Sequence, residues 1–256
     1  PWYPYPSYVL PEDAHQLQRD VADSTAPALL IIKPGRHGGG RGVMVLPPEE
    51  YTARAAALST TITGPTIACR YVDRPLLIAG VKSDLRLYVL VKEGWSAGSL
   101  FTEGLVRFAS APYTAARSSL PNAFVHLTNN AVNRKADGGS GKNAPRNWTL
   151  TRFFAQLEQL EGDARVSGCR GDSAGAGAGA GAGAAGEGDV KLPPQGLRKS
   201  VLWGRIRELV SDVLSRARAG MTAALCAAFG KDGDQNRCFE VFGFDVVVDE
   251  ELRPCM

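Results

Sequence analysis

Apolar positions in this chain fall into short blocks separated by glycine, proline and charge, and the spacing inside each block predicts its secondary structure. The opening Pro1-Trp-Tyr-Pro-Tyr-Pro-Ser-Tyr-Val-Leu-Pro11 alternates proline with aromatics and reads as an extended segment, and Pro11 to Ala26 is polar with weak helical spacing. Ala28-Leu-Leu-Ile-Ile-Lys33-Pro34 is an apolar run of strand length. Gly35 to Gly42 follows as a glycine-rich loop and Val43 to Leu46 as a second strand, a hairpin-like unit. Glu49 to Leu58 carries helix formers. Thr66 to Tyr71 and Leu85 to Val91 predict strands, the second buried on both faces because its apolar positions do not alternate. Leu100 to Phe108 predicts another, with a turn at Glu103-Gly104.

Further along, Trp148 to Glu161 has the apolar spacing of an amphipathic helix. Ala174 to Gly186 is then almost pure Ala-Gly alternation with nothing to bury, so Asp163 to Pro194 reads as a flexible surface insertion in preference to a silk-like stack. Leu197 to Phe229 predicts a long helix stopped by Gly230. Cys238 to Asp249 predicts a final strand and Asp249-Glu-Glu251 a solvated turn. Helices mixed with mostly antiparallel strands make an α+β fold.

Composition narrows the function classes without changing this picture. At roughly 150 residues per domain, 256 residues make one or two domains. A net charge of +3 is too mild to point to nucleic acid. No apolar run approaches the roughly 18 residues of a membrane span, so neither a nucleic-acid nor a membrane partner is expected. The five cysteines, Cys69, Cys169, Cys226, Cys238 and Cys255, form no CxxC pair and suit a reducing compartment, as core or loop residues.

Candidate chemistry concentrates in a few places. Lys33 ends an apolar strand beside the glycine loop, a good setting for an anion, with Arg36, His37 and Arg41 adding positive charge. No G-K-[ST] follows, so it is not a Walker loop; an ordinary hairpin with a solvated Lys is the plainer reading. Period two places Lys82, Asp84 and Arg86 on one strand face, either as an internal ion-pair ladder or facing a ligand. Arg107 sits in a dry apolar segment, and Asp245 stands as a lone carboxylate in an apolar strand, which asks for a metal or an Arg. Thr128 and Asn129, after His126, offer oxygens to a metal or nucleotide, though such residues more often make turns. His15 and His37 read as superficial.

Ile31-Ile-Lys33-Pro34 with Arg41-Gly42-Val43, Cys69 to Val91, Gly104-Leu-Val-Arg-Phe-Ala109, His126-Leu-Thr-Asn129 and Phe239-Glu-Val-Phe-Gly-Phe-Asp-Val246 together resemble the tubulin tyrosine ligase-like proteins. The resemblance implies an ATP-grasp fold, its mostly antiparallel sheets flanked by helices. Nucleotide would lie between a lobe of residues 1–80 and a lobe of residues 81–256 that carries the insertion at about 163–194. It implies an ATP-dependent ligase that adds glutamate to glutamate side chains of tubulin tails through an acyl phosphate, with ATP and Mg2+ as cofactors. Lys33 and Lys82 would contact the nucleotide, with Arg41 and Gly42 closing over the phosphates. Arg70, Tyr71 and Val72 would form the hinge that meets adenine, largely through backbone groups. Asp84 and Arg86 would serve the ribose–phosphate and acceptor side, Arg107 the γ-phosphate and acyl phosphate. Thr128 and Asn129 would line the reacting end, and Asp245 would ligate Mg2+.

The chain departs from the family pattern at Ser83, usually Phe, and Asn130, usually Tyr. Beyond Arg253-Pro254 the pattern continues into a Trp-containing strand whose Glu and Asn complete the metal site. The 256 residues are therefore expected to be a piece of a longer protein and to bind Mg2+ weakly alone. Tubulin or microtubules, through acidic tails, and free glutamate are the expected partners of a monomer in the cytoplasm and cytoskeleton, with the ciliary axoneme or basal body as further sites. A tubulin glycylase and a tubulin-binding pseudoenzyme are the alternatives.

Overall fold

The structure is a computed structural model that describes residues 7–23, 25, 28–35, 38–51, 53, 54, 64–92, 97–135, 147–160, 193–229 and 239–256. Outside these residues lie the first six, Arg36, His37, Cys169, Gly230, Cys238 and the predicted insertion except Pro193 and Pro194.

Strands β1 (Ser7–Leu10), β2 (Leu30–Pro34), β3 (Met44–Leu46) and β4 (Thr66–Arg70) form an antiparallel sheet in the order β1-β4-β2-β3. Period two sorts its side chains by face. Leu30, Ile32, Leu46, Ala68, Tyr8 and Leu10 are buried with Leu17 of α1 (Ala14–Ala22), while Lys33, Ile67 and Val9 share one row on the other face. Residues 48–51, 53 and 54 are helical, the start of the predicted Glu49–Leu58 helix, whose end lies outside the described residues.

The second sheet is built on β6 (Val81–Lys92). It contains β5 (Leu77–Ile78), β7 (Ala97–Leu100), β8 (Leu105–Phe108), β9 (Trp148–Thr149), β10 (Phe239–Val248) and β11 (Pro254–Cys255). Its path is β11-β10-β6-β8-β9, with β5 and β7 also paired to β6, all antiparallel. Ala79 and Gly80, at φ 52° and 76°, make the left-handed two-residue turn that joins β5 to β6 and sets Lys82 opposite Leu77. Four helices accompany this sheet among the described residues: α2 (Ala123–His126), α3 (Asn130–Asn133), α4 (Leu150–Gln159) and α5 (Arg198–Phe229).

Leu85, Leu87, Val89 and Val91 of β6 form one core with Phe244 and Val246 of β10, Phe153 and Leu157 of α4, and Leu202, Ile206 and Leu209 of α5. The expectation of a β6 buried on both faces is corrected here. Its Arg86, Tyr88 and Leu90 are only half-buried, because α4 and α5 pack on the opposite face. The predicted Leu100–Phe108 strand is two strands, parted where Glu103 turns its carboxylate to the start of α4. The helix predicted from Trp148 begins at Leu150, since Trp148 and Thr149 pair with β8 and the Thr149 hydroxyl caps Arg152 N at 3.1 Å. Asp249 corrects the solvated-turn reading. It is buried, and it accepts from Glu251 N at 2.9 Å and Arg253 N at 2.8 Å, shaping the turn into β11. No helix among the described residues is long and apolar enough to cross a membrane.

Candidate functional site

Register creates the site. On the β6 face away from α4 and α5, Asp84 pairs with Arg107 of β8, and Arg86 pairs with Asp245 of β10. Arg107 Nε donates to Asp84 Oδ1 at 2.9 Å, and a second guanidinium nitrogen donates to Oδ2, a bidentate pair. The same Arg107 nitrogen also meets Asp245 Oδ1 at 2.9 Å, and Arg86 reaches that oxygen at 2.7 Å. The chain of charges runs from dry to wet, with side-chain exposure of 5% at Asp84, 11% at Arg107, 35% at Arg86 and 44% at Asp245. Burial pushes the Asp84 carboxyl up, opposed by Arg107 and Thr128. Burial would lower Arg107, but Asp84 and Asp245 outweigh it and hold the guanidinium charged.

Asp245 thus has the arginine partners its place in an apolar strand asked for, but it is exposed. It is no buried lone carboxylate, because Phe244, Val246 and Val248 take the core face of β10 and leave it on the open face between two arginines. Gly243 makes room there: a Cβ at that position would overlap the Arg86 guanidinium.

The two lysines make no ion pair among the described residues. Lys33 is half-buried at the end of β2. Lys82 is buried, with Nζ 4.0 Å from the centre of the Tyr71 ring. Burial lowers its pKa to about 7; Asp84 opposes this, and nearby Lys33 adds to it. The two sheets thus bring both lysines to one place.

Glycine loop and reacting-end residues also meet. Gly39, Gly40 and Gly42 adopt left-handed φ of 71°, 80° and 72°. A Cβ on Gly40 would stand 2.8 Å from Asn129 Oδ1, so the missing side chain lets the loop settle on Asn129. Thr128 in turn hydrogen-bonds Asp84. Arg41 and Gly42 are exposed beside this contact, Arg70 is exposed at the end of β4, and Val72 is half-buried. The Tyr71 N–H donates to Leu29 O at 2.9 Å and its side chain is buried.

One contact escaped the sequence reading, which named Tyr71 and His126 separately: the Tyr71 hydroxyl lies 2.8 Å from His126 Nδ1, and His126 Nε2 lies 3.1 Å from Ser119. The available signal was a histidine closing the apolar Ala123-Phe-Val125. Among the described residues no group of three or more His, Cys, Asp and Glu side chains forms a metal site. Asp245 Oδ1 takes both arginines, so Oδ2 is the oxygen left to offer a cation.

Residues 3–168 match the model of the tubulin-tyrosine ligase family. The chain belongs to that family. Its α+β, ATP-grasp-like architecture agrees with the expectation from the motifs. Human tubulin monoglutamylase TTLL4 is 29% identical over 254 residues, which is 97% of this chain and 17% of that protein. Tubulin polyglutamylase ttll-4 of Caenorhabditis elegans is 26% identical over 252 residues, 97% of this chain and 34% of the relative. Human tubulin polyglutamylase TTLL5 is 25% identical over 255 residues, 97% and 16%. This tubulin-tyrosine ligase family chain thus spans well under half the length of these curated relatives. Their similarity extends past residue 168, where α5, β10 and Asp245 lie.

Proposed function

We propose that this chain carries the nucleotide and transfer site of an ATP-dependent ligase that adds glutamate to glutamate side chains of tubulin tails. The observation that carries the reading is the meeting at one place of two lysines that make no ion pair among the described residues, the Asp84–Arg107–Asp245–Arg86 chain and the left-handed glycine loop. The glutamylase names of the relatives point to the added amino acid and to tubulin.

Residues 1–80 and 81–256 act as two lobes that grip ATP. Lys33 and Lys82 bind phosphate oxygens, and Arg41 and Gly42 bring loop N–H groups over them. Arg70, Tyr71 and Val72 border the base, with Val72 and the Tyr71 carbonyl as the groups left to meet it once the Tyr71 N–H is engaged by Leu29. The tubulin carboxylate attacks the γ-phosphate, giving an acyl phosphate and ADP. The amine of free glutamate then displaces phosphate to form the amide. Arg107 and Arg86 neutralise charge on the transferring group, held in line by Asp84 and Asp245. Thr128 and Asn129 line the reacting end. Asp245 Oδ2 suits a single Mg2+ contact, and Mg2+ bound there would supply charge neutralisation at the phosphates. A cytoplasmic, cytoskeletal location follows from such a substrate, the cilium included.

The test incubates the full-length protein with ATP, Mg2+, microtubules and labelled glutamate or glycine. Incorporation of glutamate supports the reading, glycine alone makes the protein a glycylase, and neither label with a folded protein ends the ligase reading. Lys33→Ala is expected to weaken ATP binding severely in calorimetry; unchanged affinity would mean the phosphate site lies elsewhere.

A further inference from the structure

We propose that Tyr71 and His126 are positioning residues for Lys82. The Tyr71 ring is the seat that holds the Lys82 ammonium at the nucleotide, and His126 fixes that ring through its hydroxyl. The inference rests on the nucleotide site proposed above.

Lys82 is buried and has no hydrogen-bond acceptor among the described residues, although an ammonium carries three donors. Its close neighbour is the face of Tyr71, 4.0 Å from Nζ to the ring centre, where the ring quadrupole attracts a cation. That attraction is directional, so it places Lys82 only as well as the ring itself is placed. Ser119 O, a carbonyl 3.1 Å from His126 Nε2, can only accept, so Nε2 carries the proton and the Tyr71 hydroxyl donates to Nδ1 at 2.8 Å. Burial and the nearby Lys82 lower the His126 pKa to about 4, so the neutral ring that accepts from Tyr71 is the resident form. His126 also lies edge-on to Tyr71 and Tyr113, with ring centres 5.6 and 5.8 Å away.

The position of this pair gives it a functional sense. Tyr71 follows β4 of the smaller sheet, Lys82 belongs to β6 of the larger, and His126 ends α2 two residues before Thr128, which bonds Asp84.

Isothermal titration calorimetry of ATP on the full-length protein, with steady-state kinetics, separates the outcomes. Tyr71→Phe keeps the ring and removes its tether, and His126→Leu removes the acceptor. Each is expected to raise the dissociation constant and KM for ATP about three- to tenfold, as loss of one buried hydrogen bond does, with KM for glutamate and microtubules unchanged. His126→Asn, which keeps an acceptor near Nδ1, is expected to recover most of the affinity. Tyr71→Phe also serves if His126→Leu does not fold. Lower melting temperatures with unchanged ATP affinity would make the pair merely structural and overturn the proposal. If Lys82→Ala itself leaves ATP affinity unchanged, the nucleotide-site reading fails; if Lys82→Ala weakens ATP while Tyr71→Phe and His126→Leu do not, the positioning proposal alone fails.

Discussion

Gly243 illustrates how a single residue with no side chain sets the position of a charged one. Strand glycine ordinarily costs about 0.5–1 kcal/mol relative to Ala, so Gly243→Ala has an intrinsic reason to stabilise β10. Its new Cβ would instead occupy the space of the Arg86 guanidinium and push it off Asp245. The expected outcome is a folded protein whose kcat in the proposed glutamate transfer falls roughly ten- to hundredfold, as misplaced catalytic groups do. A kcat within twofold of wild type would show that the seat of Arg86 is unimportant. Lys82 makes a second residue-scale prediction. With burial lowering its pKa to about 7, the free site is largely unprotonated at pH 8, and an incoming triphosphate favours the charged form. ATP binding at pH 8 should therefore take up a proton, seen as a dependence of calorimetric enthalpy on buffer ionisation enthalpy. Lys82→Met should abolish that uptake.

Among the elements, α4 depends on a cap supplied from the connection between β7 and β8. Glu103 accepts from Leu150 N at 2.7 Å, Thr151 Oγ1 at 2.6 Å and Gly104 N at 3.0 Å. Glu103→Ala is expected to cost about 1–2 kcal/mol, read by chemical denaturation, with ATP affinity kept. The Thr151 hydroxyl and three backbone amides hold the Glu103 carboxyl below its ordinary 4.5. Because the folded-state pKa is depressed, this contribution is present above pH 4.5 and is lost as pH falls through the folded value. The wild type should lose stability in that acid range more steeply than the variant. Helix α5 is uneven along its length. Leu202 is fully buried against β6 and α4, whereas Met221 is exposed. Leu202→Ala should cost about 2–5 kcal/mol and Met221→Ala no more than about 0.5 kcal/mol.

For the whole molecule, the proposed chemistry lies at the junction of the two sheets. Val45 of the smaller sheet shares a buried cluster with Tyr71, Leu77, Tyr113, Leu120 and Val125, so the strand carrying Lys33 cannot shift far from the strand carrying Lys82 without disturbing that cluster. A nucleotide held from both sides stabilises the folded state by mass action, about 2.7 kcal/mol at a hundredfold excess over its dissociation constant. ATP should accordingly raise the thermal midpoint of the full-length protein by several degrees, and Lys33→Ala should lose most of that rise. An equal rise in the variant would place the ligand away from the junction.

Local periodicity is what the amino-acid order determined alone. The apolar run of β2 was enough to put Lys33 beside the glycine loop, the period of two along β6 to put Lys82, Asp84 and Arg86 on one face, and helical spacing to find α4 and α5 to within two residues. Those features depend only on backbone repeat, which is a property of neighbours in sequence. The partners of those charges were not legible in this way. Arg86 and Asp245 stand 159 positions apart, and only pairing of β6 with β10 in one register sets them opposite each other. A slip of one residue would have turned Asp245 into the core. Likewise the apolar run of β6 could not reveal that helices cover just one of its faces, nor that the Tyr71 ring would lie under a lysine from the other sheet. Register, facing and the contact between sheets are settled by which surfaces bury each other, and that choice exists only once the distant segments have met.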